Sequence, residues 1–275
     1  MVGRCVGFLA KTALAMVFCN ASLVVAQTAP PLGQAGSFAV LGASAVTNTG
    51  PTVVTGDLGI WPNTASSITG FPPGIVNGAT HPGDAVAQQA QTDVTAAYNN
   101  LAGQACSTGN DLTGTDLGGL TLTPGVYCFS TSAQLTGTLT LDAQGNSAAV
   151  FVFQIGSTLT TASASRVLVI NGGSSCNVFW QIGSSATLGT TTAFAGNILA
   201  LADITLNTGV VAPGRALART GAVTLDTNGV GGCSSAGGVL PGSAALTPAL
   251  SYWALIGLTL LIALVGFVAI RREDS

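Results

Sequence analysis

Side-chain chemistry has few agents in this chain. Among 275 residues there is one histidine, His81, and one lysine, Lys11. General acid–base catalysis draws on His, Glu, Asp or Lys held within hydrogen-bond reach of a substrate. Here the aspartates are scattered among turn residues. Asp57, Asp116, Asp142 and Asp226 stand where an aspartate caps a turn, and no two form the acidic pair of a carbohydrate-active enzyme. No CxxC spacing occurs and the histidine lies away from the cysteines, so no zinc site is expected. Net charge is −3 with a pI near 4.7, which leaves no basic footprint for nucleic acid. The chain reads as a non-enzyme without metal or cofactor.

What recurs instead is threonine. Four segments share Thr-Leu-x-Thr: Ser157–Ser163, Ala186–Thr192, Ile204–Val210 and Val223–Gly229. Their first threonines are Thr158, Thr187, Thr205 and Thr224, spaced by 29, 18 and 19 residues. An extra apolar strand, Val167 to Ile170, fills the longer gap. A second column precedes the first: Val152–Gly156, Phe179–Gly183, Asn197–Leu201 and Arg215–Arg219. Self-similarity at such a period marks a repeat architecture. Short strands broken by Gly and Asn suit a parallel β-helix, with coils stacked about 4.8 Å apart. An up-and-down sandwich leaves the recurring columns unexplained. The fold expected is mainly β: a three-faced parallel β-helix with one long helix alongside and a single C-terminal transmembrane helix. The long helix is expected at about 84–102. Asp84 caps it, Val86, Ala90, Val94, Ala97, Tyr98 and Leu101 recur at helical spacing, and Gly103 closes it. His81 stands just before it as a loop residue or hydrogen-bond partner.

Strand alternation suggests which hydroxyls face outward. Taken from the repeats, these are Thr161 and Ser163, Thr190 and Thr192, Thr208 and Val210, and Thr227, with Ala162, Gly209 and Asn228 facing a narrow interior. Such a face would be uncharged, with methyls and hydroxyls at regular intervals. Strand propensity alone accounts for threonine columns equally well at this point.

The two ends read differently. Arg4 and Lys11, an apolar stretch from Thr12 to Val25 and the small-residue site Val24-Val25-Ala26 make residues 1–26 a secretory signal peptide, cut before Gln27. A linker occupies 231–250. Residues 251–270 include an uncharged run from Tyr252 to Ile270, long enough to cross a bilayer. Arg271 and Arg272 place the 271–275 tail in the cytoplasm. The stretch Leu246–Trp253 also resembles bacterial C-terminal sorting signals, so the helix is either retained or removed after export. The 27–230 domain contains three arginines, eight aspartates and neither lysine nor glutamate. Cys106, Cys128, Cys176 and Cys233 remain after signal removal, an even number suited to an oxidising compartment. Of three possible pairings, Cys106–Cys128 and Cys176–Cys233 close the more plausible loops.

Several stretches together resemble the ice-binding protein family with a discontinuous β-helix. They include Ala35–Leu41, Val46–Gly50, Thr55–Pro62, Ile68–Gly74, Asp116–Tyr127, Val150–Ser157, Asn177–Ser184 and Gly196–Ala200, in family order. The resemblance implies a three-faced β-helix flanked by one helix, N-terminal segments that help cap the coils, and an ice crystal surface as ligand. It also implies one β face that carries Thr-Ala/Gly-x-Thr/Asn in some members. Thr49-Gly50-Pro51-Thr52 matches that motif, which adds Thr49 and Thr52 to the expected face. The four ladder segments match in part, with Ala164, Ala193, Val211 and Val230 at the fourth place.

The expected protein is therefore exported, monomeric, held at the cell surface or membrane by its C-terminal helix, and adsorbed to ice. A β-helical adhesin or structural surface protein without ice binding is the alternative. A face interrupted by bulky or charged residues would favour it.

Overall fold

The computed structural model describes residues 27–232. The expected signal peptide, transmembrane run and cytoplasmic tail lie outside these residues, and no described helix is long and apolar enough to cross a membrane.

Every strand pairing is parallel, and the chain winds through three faces in turn. Face A is an eight-stranded sheet. In spatial order it comprises Thr80–Pro82, Asp57–Ile60, Phe38–Gly42, Gly214–Ala218, Gly196–Ala200, Val178–Ile182, Phe151–Ile155 and Gly125–Phe129. Face B is a seven-stranded sheet: Ala133–Leu135, Leu159–Thr161, Ala186–Leu188, Ile204–Leu206, Val223–Asp226, Val46–Thr49 and Ile68–Thr69. Face C is split. A three-stranded sheet (Thr121–Leu122, Thr138–Asp142, Arg166–Ile170) and a four-stranded one (Val211–Ala212, Gly229–Gly231, Val53–Thr55, Ile75–Asn77) meet only through isolated bridges at Ala193.

The stack does not follow chain order. Phe38–Gly42 lies beside Gly214–Ala218, and Val46–Thr49 beside Val223–Asp226. The N-terminal coils thus extend the C-terminal end of the solenoid. The chain then returns to the far end through helix α1, Ala85–Ala102, and coils back from Thr121.

Each coil turns its apolar residues inward, so one core runs through the stack. Aromatic rings from successive coils pile up in it: Tyr127 on Phe153 (5.5 Å), Phe153 on Trp180 (4.0 Å) and Trp180 against Phe194 (4.9 Å). The two polar tips are satisfied, with Trp180 Nε1 donating to Ala195 O (3.0 Å) and Tyr127 Oη to Thr123 O (2.6 Å).

Helix α1 begins where Asp84 accepts a hydrogen bond from the Ala87 N–H (2.9 Å). Its apolar stripe, Ala87, Ala90, Val94, Ala97, Tyr98 and Leu101, is buried against the outer side of face A. There it meets Phe38, Leu41, Val126, Val152, Phe179, Leu199 and Leu217. Full burial of each large apolar side chain stabilises by about 1.5–3 kcal/mol. Amides fix the docking position: Gln91 Nε2 donates to Gly42 O and Ala218 O, and Gln154 Nε2 to Leu101 O and Gln104 O. Face A is thereby withdrawn from solvent over this contact.

Candidate functional site

Face B carries the most regular surface among the described residues. Its short strands alternate apolar-in with polar-out, as in Ala186-Thr187-Leu188, Ile204-Thr205-Leu206 and Val223-Thr224-Leu225, whose outer members are buried. The central residue of each strand therefore points outward. The register aligns these residues: Gln134, Thr160, Thr187, Thr205, Thr224, Thr47 and Thr69 are successive partners. Six threonines thus form one unbroken column, with Gln134 at its end. At about 4.8 Å per rung the column spans about 24 Å. Thr47 Oγ1 lies 3.4 Å from Thr224 Oγ1 across a join of 177 residues in sequence.

Two columns flank the first. On the side toward face A, Thr158 Oγ1 donates to Ser132 Oγ (2.8 Å), Ser185 Oγ accepts from Asp203 N (3.2 Å) and Asp203 Oδ1 accepts from Ala222 N (2.8 Å). Ala162, Gly189, Asn207, Asp226 and Thr49 follow the column on the side toward face C. Asp226 is held by the hydroxyls of Thr208 and Thr227. Both carboxylates of this face are thus engaged by neighbouring protein donors. Faces A and C offer nothing comparable. The first is covered by α1, while the second is broken at Ala193 and carries exposed Arg166, Leu168 and Ile75.

The structure divides the residues expected from sequence. Thr49, Ser163, Thr190, Thr208 and Thr227 are exposed. They line the corner between faces B and C, and Thr190 Oγ1 donates to Ser163 Oγ (2.8 Å). Thr52, Thr161, Thr192 and Val210 instead point inward, all at most 3 % exposed, so the expected outward orientation is corrected for these four.

For Thr52, Thr192 and Val210 the reason is the corner itself, whereas Thr161 precedes it and points inward by plain alternation from buried Leu159. Ala164, Thr191, Gly209, Thr227 and Gly50 occupy equivalent places and all have positive φ, from 54° to 77°. A left-handed residue resets the in–out alternation that a continuous strand would keep. The first repeat also sits two residues away from the alignment by Thr-Leu-x-Thr: Thr160, not Thr158, faces Thr187. By contrast, the face A column pairs as read, Val152 with Phe179, Asn197 and Arg215. The central threonines Thr187, Thr205 and Thr224 stand in three of the four repeats, but alternation taken from the residue after leucine points to the neighbouring positions instead. Thr47 and Thr69 lacked any local signal that they join the same column.

The remaining polar groups serve the scaffold. His81 Nδ1 lies 2.8 Å from Asp84 Oδ2 and its Nε2 4.0 Å from Asp57 Oδ2, at the entrance to α1. The Ala87 N–H holds the Asp84 carboxyl below its ordinary value, with His81 assisting. Asp142 is lowered by the Gln144 N–H and by Asn171, and Asp111 by the Thr113 hydroxyl and N–H. At Asp116, burial pushes upward, and the Gly118 and Thr136 N–H groups outweigh it. Arg215 is lowered by burial and binds Asn197 Oδ1 (2.8 Å) and Gly36 O. No group of metal-ligating side chains occurs among the described residues. Cys106 and Cys128 form a disulfide. Cys176 is also disulfide-bonded, and its expected partner Cys233 lies outside the described residues.

The profile of the "Ice-binding-like" family matches residues 40–231. An ice-binding protein from Nostoc sp. (strain HG1) is 64% identical over 200 residues, which cover 72% of this chain and 72% of the relative. Ice-binding protein 1 of Shewanella frigidimarina (strain NCIMB 400) is 37% identical over 230 residues. That match takes 74% of this chain but only 26% of the Shewanella protein, so the chain spans about a quarter of that relative. Among solved structures, an ice binding protein from an Antarctic biological consortium superposes with a TM-score of 0.72 at 49% identity, covering 75% of this chain and 92% of its own. Ice-binding protein from the Antarctic ascomycete Antarctomyces psychrotrophicus gives 0.70 at 42% identity, with coverage of 74% and 98%.

Proposed function

We propose a function from a family that is established, because the chain belongs to the Ice-binding-like family: it adsorbs to ice, and it does so through face B. The unbroken threonine column Thr160–Thr187–Thr205–Thr224–Thr47–Thr69 carries the choice of face. Each threonine presents a methyl and a hydroxyl, on a rung whose backbone is fixed by a neighbouring strand on both sides except at the terminal Thr69. Water between the methyls is held in place, and the hydroxyls anchor that layer. A lysine or glutamate there would keep its own hydration shell and disturb it. Individual contacts are weak. An array already rigid in the free protein loses little conformational entropy on binding, so its contacts accumulate. The exposed corner residues Thr49, Ser163, Thr190, Thr208 and Thr227 border this surface and extend it toward face C.

The reading involves no catalysis and no cofactor, and the protein acts as a monomer. We place it outside the cell, exported by residues 1–26 and tethered by 251–270. The Cys106–Cys128 disulfide supports an oxidising compartment.

Ice affinity is tested by thermal hysteresis and ice-recrystallisation inhibition. Faceted crystals with a measurable freezing gap are expected. Unfaceted growth and ordinary recrystallisation at high protein concentration would overturn the reading and leave a β-helical surface protein.

A further inference from the structure

Buried polar side chains of the solenoid collect along one line. Beneath the corner between faces B and C, Ser165, Thr192, Asn228 and Thr52 are each at most 3 % exposed, and Thr161 joins them from the end of its strand. A buried hydroxyl or amide destabilises unless it is hydrogen-bonded. These are bonded, and their partners are not random. Gly189 N donates to Thr161 Oγ1 (2.9 Å), Thr161 Oγ1 lies 3.0 Å from Thr192 Oγ1, and Thr192 Oγ1 donates to Ala162 O (3.2 Å). Each hydroxyl has one proton to give. The direction that satisfies all groups runs from Gly189 N–H through Thr161 and Thr192 to the Ala162 carbonyl.

The relay therefore starts and ends on Ala162 and Gly189, neighbours in the face B column next to the central threonines. The regular pairing between these two strands runs through Leu159–Ala186 and Thr160–Thr187. Side chains take over where it stops. The same device recurs in other coils. Ser165 Oγ donates to Leu135 O (3.0 Å), Asn228 Nδ2 to Asn207 O (2.9 Å), and Asn228 N to Thr52 Oγ1 (3.0 Å). Each bond joins one coil to the next at the edge of face B.

We propose that this internal polar line is a positioning device for face B: Thr161, Thr192, Ser165, Asn228 and Thr52 set the coil-to-coil spacing and orientation of its edge without touching ice. The inference rests on the reading of face B as the ice surface. It explains why hydroxyls stand where Val210 shows that an apolar residue fits. Removing one leaves the core filled but the edge of the array free to shift.

The test compares three variants of the full protein with the parent. Thr192→Val keeps shape and removes the relay, so that Thr161 loses its acceptor and Ala162 O its hydroxyl donor, keeping only the longer bond from Ser165 N (3.4 Å). Thr192→Ser restores the hydroxyl. Val167→Ala, in the core under face C, is the control for destabilisation alone. Hysteresis is read near 0 °C, with circular dichroism establishing that every variant is folded. The expected result is an activity loss of about tenfold in Thr192→Val, since contacts summed over an array fail together when its spacing is disturbed. Thr192→Ser retains parental activity, and Val167→Ala loses little at equal or lower melting temperature. Equal losses in Thr192→Val and Val167→Ala, or none in Thr192→Val, would overturn the positioning role while leaving the ice surface intact. An inactive parent would overturn both. Should Thr192→Val not fold, Thr52→Val, which strands the Asn228 N–H, carries the same expectation against the same control.

Discussion

Replacing Thr205 by tyrosine tests the face assignment at its centre. Thr205 pairs with Thr187 on one side and Thr224 on the other, with its side chain outward between buried Ile204 and Leu206. A tyrosine ring there rises above the threonine methyls and holds a rigid surface away from at least these three rungs. If the six threonines contribute equally, half of the array's contact is lost. At about 1 kcal/mol per hydrogen-bonding contact, the loss is about 3 kcal/mol, or about a hundredfold in affinity. Folding is little affected. The site is on the surface and tyrosine is a good strand former, so stability stays within about 0.5 kcal/mol and the melting temperature within about 2 °C. Nanolitre osmometry gives the hysteresis, and circular dichroism the melting curve. Thr140→Tyr, on face C, is the control and retains activity. Full activity in Thr205→Tyr with loss in Thr140→Tyr would refute the reasoning and move the surface to face C.

Further outcomes follow from the scaffold. Cys106→Ser opens a 22-residue separation and costs about 3 kcal/mol on the chain-entropy account, which a melting curve registers as a fall of about 6–12 °C. Leu101→Ala, fully buried between α1 and face A, destabilises by about 2–5 kcal/mol in denaturant unfolding. Thr191→Gly relieves a β-branched residue at φ 57°; about 1–2 kcal/mol of left-handed strain against about 0.5–1 kcal/mol of added glycine freedom leaves a small gain in midpoint. Asp84, Asp111, Asp116 and Asp142 all have carboxyls held below their ordinary value of 3.8. Their contribution is complete above that value and is lost as pH falls through the lowered folded values. Melting temperature is therefore flat from neutral pH down to about 5 and declines below about 4; a decline that begins near pH 6 would contradict this assignment.

The sequence by itself determined the elements whose signals are local or strictly periodic. Helix α1 begins at its Asp84 cap because capping, apolar spacing and the closing Gly103 all lie within one stretch of chain. The face A column pairs as read because its five-residue strands alternate without interruption. The paucity of His, Lys and Glu is equally a property of composition, which leaves uncharged side chains to cover most of the exterior. Which hydroxyls reach that surface was decided by the tertiary structure. Left-handed residues at the corner, Ala164, Thr191 and Thr227 among them, reset the alternation. Thr192 and Val210 consequently turn inward while Thr187 and Thr205 stay outside. Counting in twos through a corner cannot foresee this, because a non-glycine residue at positive φ leaves no mark in composition. The union of Thr224 with Thr47, and of Thr47 with Thr69, has a different cause. α1 carries the chain back to the far end, and the coils return to meet their own N-terminal segment. The column is completed by residues 177 positions apart, a contact that only the closed solenoid brings about.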